Sequence, residues 1–181
     1  MLRAVLVRKN RVSKIILGVR SLPPREQTNE SMCFCYILAF GAIEYMLESL
    51  IKGWIQHSIR HHRHPYPGKP KVDYVITVLN DMAEFNLEHN NGIKFGKICD
   101  LVDRLTGSTR RTSLESGVDA YPGGRAALGA AIKRIETTRH NVAHGQLLPA
   151  EVSPNLAELE NDFNHIYNCL VTNLDAALPR R

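Results

Sequence analysis

The densest group of chemically active side chains lies between residues 139 and 144. Arg139, His140, Asn141 and His144 place a guanidinium, a carboxamide and two imidazoles within about one and a half turns of a predicted helix. A guanidinium can hold a phosphate through paired hydrogen bonds, and an imidazole can accept or donate a proton. This group could therefore bind a phosphodiester and move protons at it.

The position of Arg139 on its helix limits what it can do. It falls where a stripe of apolar side chains calls for another apolar residue. A buried guanidinium requires a partner, because burying it alone is costly. Arg139 could therefore pair with Glu44 on another helix, or the site could open onto a ligand or a second subunit. The stripe consists of Leu128, Ile132, Ile135 and Val142.

The two histidines have further interpretations. His140 and His144 are four positions apart and share one side of the predicted helix. This spacing also occurs in zinc sites, but Asn141 stands where a metalloprotease HExxH motif carries its glutamate. A histidine near the end of a helix can also act as a cap that interacts with the helix dipole. We expect no metal and no cofactor.

The elements that position this group are predicted to be helices. Apolar residues recur every three or four positions, and no segment alternates apolar and polar residues as a strand would. The sequence thus predicts an all-α protein, an antiparallel bundle of about five to six helices. The predicted helices run from Thr28 or Ser31 to about Arg60, from Asp73 to Asn90, from about Phe95 to Gly107, from about Arg125 to His144, and from a cap at Ser153 to about Leu174.

Length and charge define the domain organisation. The chain of 181 residues, 44% of them hydrophobic, suits a single core, which we place in residues 26–181. Residues 1–25 carry no acidic side chain, and six basic ones occur before residue 21. They could be a transit peptide, a basic arm for nucleic acid, an extension outside the domain, or an amphipathic helix with a solvated basic face.

Charge, cysteines and hydropathy add weaker constraints. The net charge of +5 favours polyanionic partners. Cys33 and Cys35 lack a second close pair nearby, so we expect buried, reduced thiols and not a zinc site. No apolar run approaches the roughly 20 residues that span a bilayer. We therefore expect a soluble cytoplasmic protein without a membrane partner.

The segment Arg139-His140-Asn141-Val142-Ala143-His144-Gly145 resembles the R-x4-6-H motif of HEPN domains, with four residues between the arginine and the histidine. It is most similar to the motif of prokaryotic HEPN ribonucleases in toxin–antitoxin and antiviral-defence systems, notably the RiboL-PSP-HEPN and MAE-like groups. The order of helices is similar over about residues 28–178, including Phe40 to Glu44 in the first core helix. Only the seven-residue motif is specific.

The resemblance implies a HEPN-like bundle that forms a homodimer, with two motifs facing each other across a cleft between the subunits. It also implies metal-independent cleavage of RNA that leaves 2′,3′-cyclic phosphate ends. His144 would act as general acid or base at the ribose 2′-OH, and Arg139 would hold the scissile phosphate. His140 and Asn141 would be supporting donors, and Glu44 would orient Arg139.

Position 146 departs from the pattern of one HEPN group. Toxins that are paired with a nucleotidyltransferase antitoxin often carry a tyrosine two residues after the motif histidine, and this chain has Gln146. The resemblance therefore implies another kind of antitoxin, or a sensor protein, as the partner that restrains the nuclease.

Two predicted loops carry basic residues that could contact an RNA backbone, with Tyr66 available for stacking on a base. Solvated loops between helices are the other interpretation. The residues concerned are Arg60, His61, His62, Arg63 and His64 in the first loop, and Arg110 and Arg111 in the second.

Two other functions stay open. The chain could be a non-catalytic HEPN module that binds RNA, a nucleotide or a partner protein, or a helical interaction domain in which Arg139 only pairs with Glu44. The presence of both Arg139 and His144 favours the nuclease over the binding module.

Overall fold

The computed structural model describes residues 2–61, 118–152 and 154–177. Within these ranges the chain forms four α-helices and one short 3-10 turn, without a strand. The prediction of an all-α protein is confirmed for this part of the chain. The helices predicted from Asp73 to Gly107 lie outside the described residues.

Three of the four helices occupy ranges close to the predicted ones, and the first lies where an amphipathic helix was one of several interpretations. The helices are α1 (Leu2–Arg20), α2 (Asn29–His61), α3 (Gly124–Ala143) and α4 (Leu156–Ala177), with the 3-10 turn at Pro149–Glu151. The helix predicted to start at about Arg125 begins one residue earlier. The long helix predicted to end at about Arg60 ends one residue later, so His61 belongs to the last turn of α2 and not to the predicted loop.

Side-chain caps set two of the helix starts. Thr28 Oγ1 accepts a hydrogen bond from the backbone N–H of Ser31 at 3.2 Å, so Thr28 is the residue that caps α2. Asn155 Oδ1 accepts one from the N–H of Glu158 at 3.1 Å and caps α4. The prediction that Ser153 caps the last helix is therefore wrong, because a better-placed acceptor lies two residues further on.

Polar contacts define how neighbouring helices run. Arg20 at the end of α1 pairs with Glu160 near the start of α4. Near the other end of α1, the Val5 carbonyl accepts a 2.8 Å hydrogen bond from the hydroxyl of Tyr167. These contacts make α1 and α4 antiparallel.

The described helices form a bundle with α2 and α4 at its centre. Each of these two contacts the other and also both outer helices, so α1 and α3 lie on opposite sides of the central pair.

Residues 1–25 were predicted as a separate basic segment with several interpretations. The structure folds most of them into α1, whose Val5, Val12 and Ile16 enter the same core as the other helices.

The segment Asn29–Ser49 of α2 is long and apolar enough to cross a membrane, by length and composition alone. Half of it is buried inside the protein. The burial accounts for its apolar character, because the same residues form one wall of the core: Cys35, Ala39, Phe40, Ile43, Met46 and Leu47.

The core predicts how substitutions change stability. Phe163 is fully buried on α4, whereas Leu148 is 63% exposed. We expect Phe163→Ala to lower the free energy of unfolding by about 3–5 kcal/mol, through lost burial and the cavity left behind. Leu148→Ala should change it by less than about 0.5 kcal/mol. Urea denaturation followed by circular dichroism measures both, and equal losses would contradict the described core.

Candidate functional site at the end of helix α3

Helix α3 positions the candidate residues, and its apolar side fixes its orientation. Leu128, Ala131, Ile132 and Ile135 are buried against the rest of the bundle. A glycine turn precedes the helix. Gly123 has φ of 86°, and a Cβ at that position would lie 2.8 Å from the Cβ of Ala127. Glycine at 123 thus allows a tight entry into the helix.

The C-terminal end of α3 is closed by a left-handed glycine. Gly145 has φ of 65°, and its N–H bonds to the carbonyl of Val142 at 3.2 Å. The N–H of Gln146 bonds to the carbonyl of Asn141 at 2.9 Å. This pair of bonds is a Schellman motif, which ends a helix abruptly. It leaves His144 as the C-cap residue, with its amide bonded to the carbonyl of His140 at 3.0 Å.

The two motif histidines lie together. His140 and His144 are both exposed, and their ring centroids are 4.5 Å apart with the planes tilted by 48°. Both imidazoles are therefore reachable by a ligand from the solvent side of α3. Asn141 is half-buried beside them, and its carbonyl accepts the hydrogen bonds that close the helix.

Arg139 faces a different direction. Its guanidinium carbon lies 4.9 Å from the centroid of the Phe40 ring on α2, a cation–π contact. Five helical positions separate Arg139 from His144, which corresponds to about 140° around the helix. The structure therefore brings the two histidines together, whereas Arg139 contacts Phe40.

The proposed pairing of Arg139 with Glu44 has no ion pair behind it among the described residues. Glu44 lies one turn beyond Phe40 on α2, is half-buried, and makes interactions of its own. Arg139 is half-exposed, so water can solvate part of the guanidinium. Arg139 thus contacts the Phe40 ring and solvent, and not the Glu44 carboxylate that the sequence suggested. Whether Glu44 orients Arg139 stays a prediction.

The predicted RNA contacts in loops are mostly outside the described residues. The structure gives Arg60 and His61 a place in the last turn of α2, but their side-chain surroundings are not described. The others lie outside the described ranges: His62, Arg63, His64, Arg110 and Arg111.

A cleft that the motif did not predict lies between α3, α4 and the start of α2. It has a volume of about 490 Å³, and Tyr36, Ile135 and Leu159 contribute apolar surface to it. Two basic and two acidic side chains also line it, so their formal charges balance. Lys133 and Thr137 of this cleft lie on the same side of α3 as His140.

An ion-pair network fixes the wall of this cleft. Arg134 Nη2 bonds to Asp162 Oδ2 at 2.7 Å, and its Nε lies 3.2 Å from Glu158 Oε1. The hydrogen bond that Arg134 donates to the Asp162 carboxylate raises the pKa of Arg134. Asp162 is only 4% exposed, so the arginine satisfies a carboxylate that would otherwise be buried alone. The sequence signal was the pair of acids four positions apart on α4, facing a basic helix.

Metal ligands do not cluster in the described part of the chain, where no group of three or more histidine, cysteine or acidic side chains could hold an ion. Cys33 and Cys35 are buried free thiols. Burial raises the pKa of both, that of Cys35 to about 11, and disfavours the thiolate that would bind zinc.

Comparisons with known proteins do not assign the chain to a family: no family model, no curated protein and no solved structure matches it.

The buried thiol predicts a dependence on pH. The native pKa of Cys35 lies near 11, above its ordinary 9.0, so neutral Cys35 contributes stability that is complete below pH 9.0. This contribution is lost as the pH rises towards 11, by at most about 1.4 kcal/mol per pH unit. Unfolding in urea across this range should show a shallower decline for Cys35→Ala than for wild type. An unchanged slope would mean that another group causes the decline.

Proposed function

We propose that this chain is a metal-independent endoribonuclease with a HEPN-like bundle, acting as a toxin or an antiviral effector in the cytoplasm. The observation that carries the proposal is the exposed pair of imidazoles, His140 and His144, with ring centroids 4.5 Å apart at the end of α3. Two neighbouring imidazoles can supply the general base and the general acid that phosphodiester cleavage requires.

The proposed reaction uses the ribose itself as the nucleophile. His144 removes the proton from the 2′-OH, and the oxygen attacks the adjacent phosphorus. The bond from phosphorus to the 5′-oxygen breaks, and that oxygen receives a proton from a second donor, for which the neighbouring His140 is the nearest imidazole. The products are a 2′,3′-cyclic phosphate and a free 5′-OH. DNA lacks the 2′-OH and is not a substrate.

The electrostatics of α3 suit an anionic substrate. The helix carries Arg125, Lys133, Arg134 and Arg139 against one acidic residue, Glu136. Arg134 is neutralised by two carboxylates of α4, and Arg125 pairs with Asp119. Among these cations Arg139 is held by a ring and not by an acid, so its charge is available to a phosphate.

Arg139 and His144 face different sides of α3, so a shared phosphate is reached most directly from two subunits. The solvent side of α3 carries a regular row of exposed residues that begins with small side chains, which let a second helix approach closely. We propose a homodimer through this row, in which Arg139 of one subunit serves the histidines of the other. The row consists of Ala126, Ala130, Lys133, Thr137, His140 and His144.

The separation of Arg139 from His144 on α3 also supports a second candidate function, RNA binding without cleavage. If Arg139 never reaches the phosphate, the basic helix would bind RNA without cutting it, as a non-catalytic module. Only a nuclease would need a partner that restrains it. That partner would be an antitoxin without nucleotidyltransferase activity, or a sensor protein.

Cleavage of a labelled RNA pool in EDTA tests the nuclease. Wild type should leave 2′,3′-cyclic phosphate ends. His144→Ala should lower the rate by about 10²–10⁴-fold, and Arg139→Ala by about 10²–10³-fold. Arg125→Ala is the matched control, since it removes a cation from the same helix outside both the proposed chemistry and the proposed dimer row. Equal cleavage by all four proteins would exclude the assigned site. RNA binding without cleavage by folded wild type would favour the non-catalytic module.

Mixing the two inactive variants tests the arrangement across subunits. Arg139→Ala and His144→Ala, each inactive alone, should regain activity when they exchange subunits, because one mixed site then carries both an intact arginine and an intact histidine. Up to a quarter of the wild-type sites can be restored in this way, by statistical pairing. No recovery, despite exchanged subunits in native mass spectrometry, would place both residues of a site in one chain.

A further inference from the structure

The outer face of α1 is strongly basic. The helix contains six cations and no acidic residue. Two of them are engaged within the protein, since Arg8 lies 4.2 Å from the centre of the Tyr45 ring and Arg20 pairs with Glu160. Arg3, Arg11 and Lys14 are exposed to solvent, so this face carries a positive charge that is available to a partner.

Aliphatic side chains lie among these cations. Leu6, Val7 and Leu17 are 40%, 59% and 51% exposed. Val7 lies between Arg3 and Lys14 on the side of α1 opposite Val5, Val12 and Ile16. Leu6 and Leu17 lie on the adjoining flank of the helix, beside the same two cations. Single exposed aliphatics are common on protein surfaces. Three on one face of a helix, interleaved with cations, form a surface that is both apolar and basic.

The helix presents this surface rigidly. Its inner side enters the core, the Val5 carbonyl accepts the Tyr167 hydroxyl, and Ser13 Oγ bonds to Asn164 Oδ1 at 3.4 Å. Because α1 and α3 lie on opposite sides of the central helix pair, the surface is separate from the candidate site on α3. A ligand bound at this outer face of α1 would therefore not occupy the proposed nuclease site.

The partner must match both properties of the face. A polyanion such as RNA satisfies the charge through its phosphates, but it offers no apolar phase to the exposed aliphatic side chains, and α1 contains no aromatic residue on which a base could stack. The boundary between lipid headgroups and acyl chains accepts aliphatic side chains, while anionic headgroups attract lysine and arginine. We propose that the outer face of α1 binds the surface of a membrane that contains anionic phospholipids.

This proposal concerns a helix that lies on a membrane and does not span it. The expectation of no membrane partner was based on the length of apolar runs, which tests for spanning segments only. Surface binding requires few inserted aliphatics, so that test does not detect it.

Sedimentation of the full-length protein with vesicles tests the proposal. The vesicles are phosphatidylcholine alone, or phosphatidylcholine with about one-third phosphatidylglycerol, an anionic lipid. We expect binding to the anionic vesicles only, weakened by salt. The combined variant Arg3→Gln, Arg11→Gln and Lys14→Gln should bind about a hundredfold more weakly, at about fivefold for each cation removed. Leu6→Ser, Val7→Ser and Leu17→Ser together should also weaken binding without changing the net charge.

The matched control removes one exposed cation from α3, outside the proposed dimer row: Arg125→Gln should bind vesicles almost as wild type does, whereas Lys14→Gln should bind them about fivefold more weakly. Circular dichroism verifies that each variant is folded. Four results would overturn the proposal: equal sedimentation with neutral and anionic vesicles, no sedimentation with either, unchanged binding by the serine variant, or an equal loss in the α3 control. Loss of RNA binding by the glutamine variant, with vesicle binding absent in wild type, would assign the face to nucleic acid.

Discussion

Burial of the apolar sides of α2 and α4 is the constraint on which the described structure depends. These two helices contact each other and both outer helices. Their fully buried side chains include Ile43, Met46, Phe163 and Ile166. Each such residue contributes about 1.5–3 kcal/mol by leaving water. The outer helices must turn their own apolar stripes towards this pair, and that requirement decides which of their polar residues face solvent.

Helix α3 shows the consequence for chemistry. Once Leu128 and Ile135 are turned inward, the period of the helix sends Arg139 to the side of α2 and both motif histidines to the solvent side. The Schellman turn then stops the helix at His144, so the imidazole pair lies at an open end and not along a packed surface. The proposed cleavage would need this access, because RNA is a long polymer that cannot enter a closed cavity.

Apolar spacing in the sequence was enough to predict α2 and α3 nearly to the residue, because burial of one side determines where these helices run. It predicted the buried positions Leu128, Ile132 and Ile135 on α3. The start of α4 was missed because a local hydrogen bond, donated by the N–H of Glu158 to Asn155 Oδ1, decides it, and periodicity does not report such bonds. The Arg134–Asp162 pair was missed for a different reason: it joins residues 28 positions apart, and the spacing of the two acids on α4 does not show which cation they face. The direction in which Arg139 points follows from its position on the helix. Its contact with Phe40 could not be predicted, because that contact depends on how α2 packs against α3.

The contact of Arg139 with Phe40 bears on whether the arginine can serve a phosphate. A partly exposed cation–π contact contributes about 0.5–1 kcal/mol, whereas a charge-assisted hydrogen bond to an anion contributes about 1.5–3 kcal/mol. A phosphate within reach would therefore draw the guanidinium away from the ring at little cost. Had Arg139 been held by a buried carboxylate, as Arg134 is by Asp162, leaving that partner would have exposed an unpaired charge and cost several times more. The ring keeps the side chain ordered, and its charge stays uncompensated until an anion arrives.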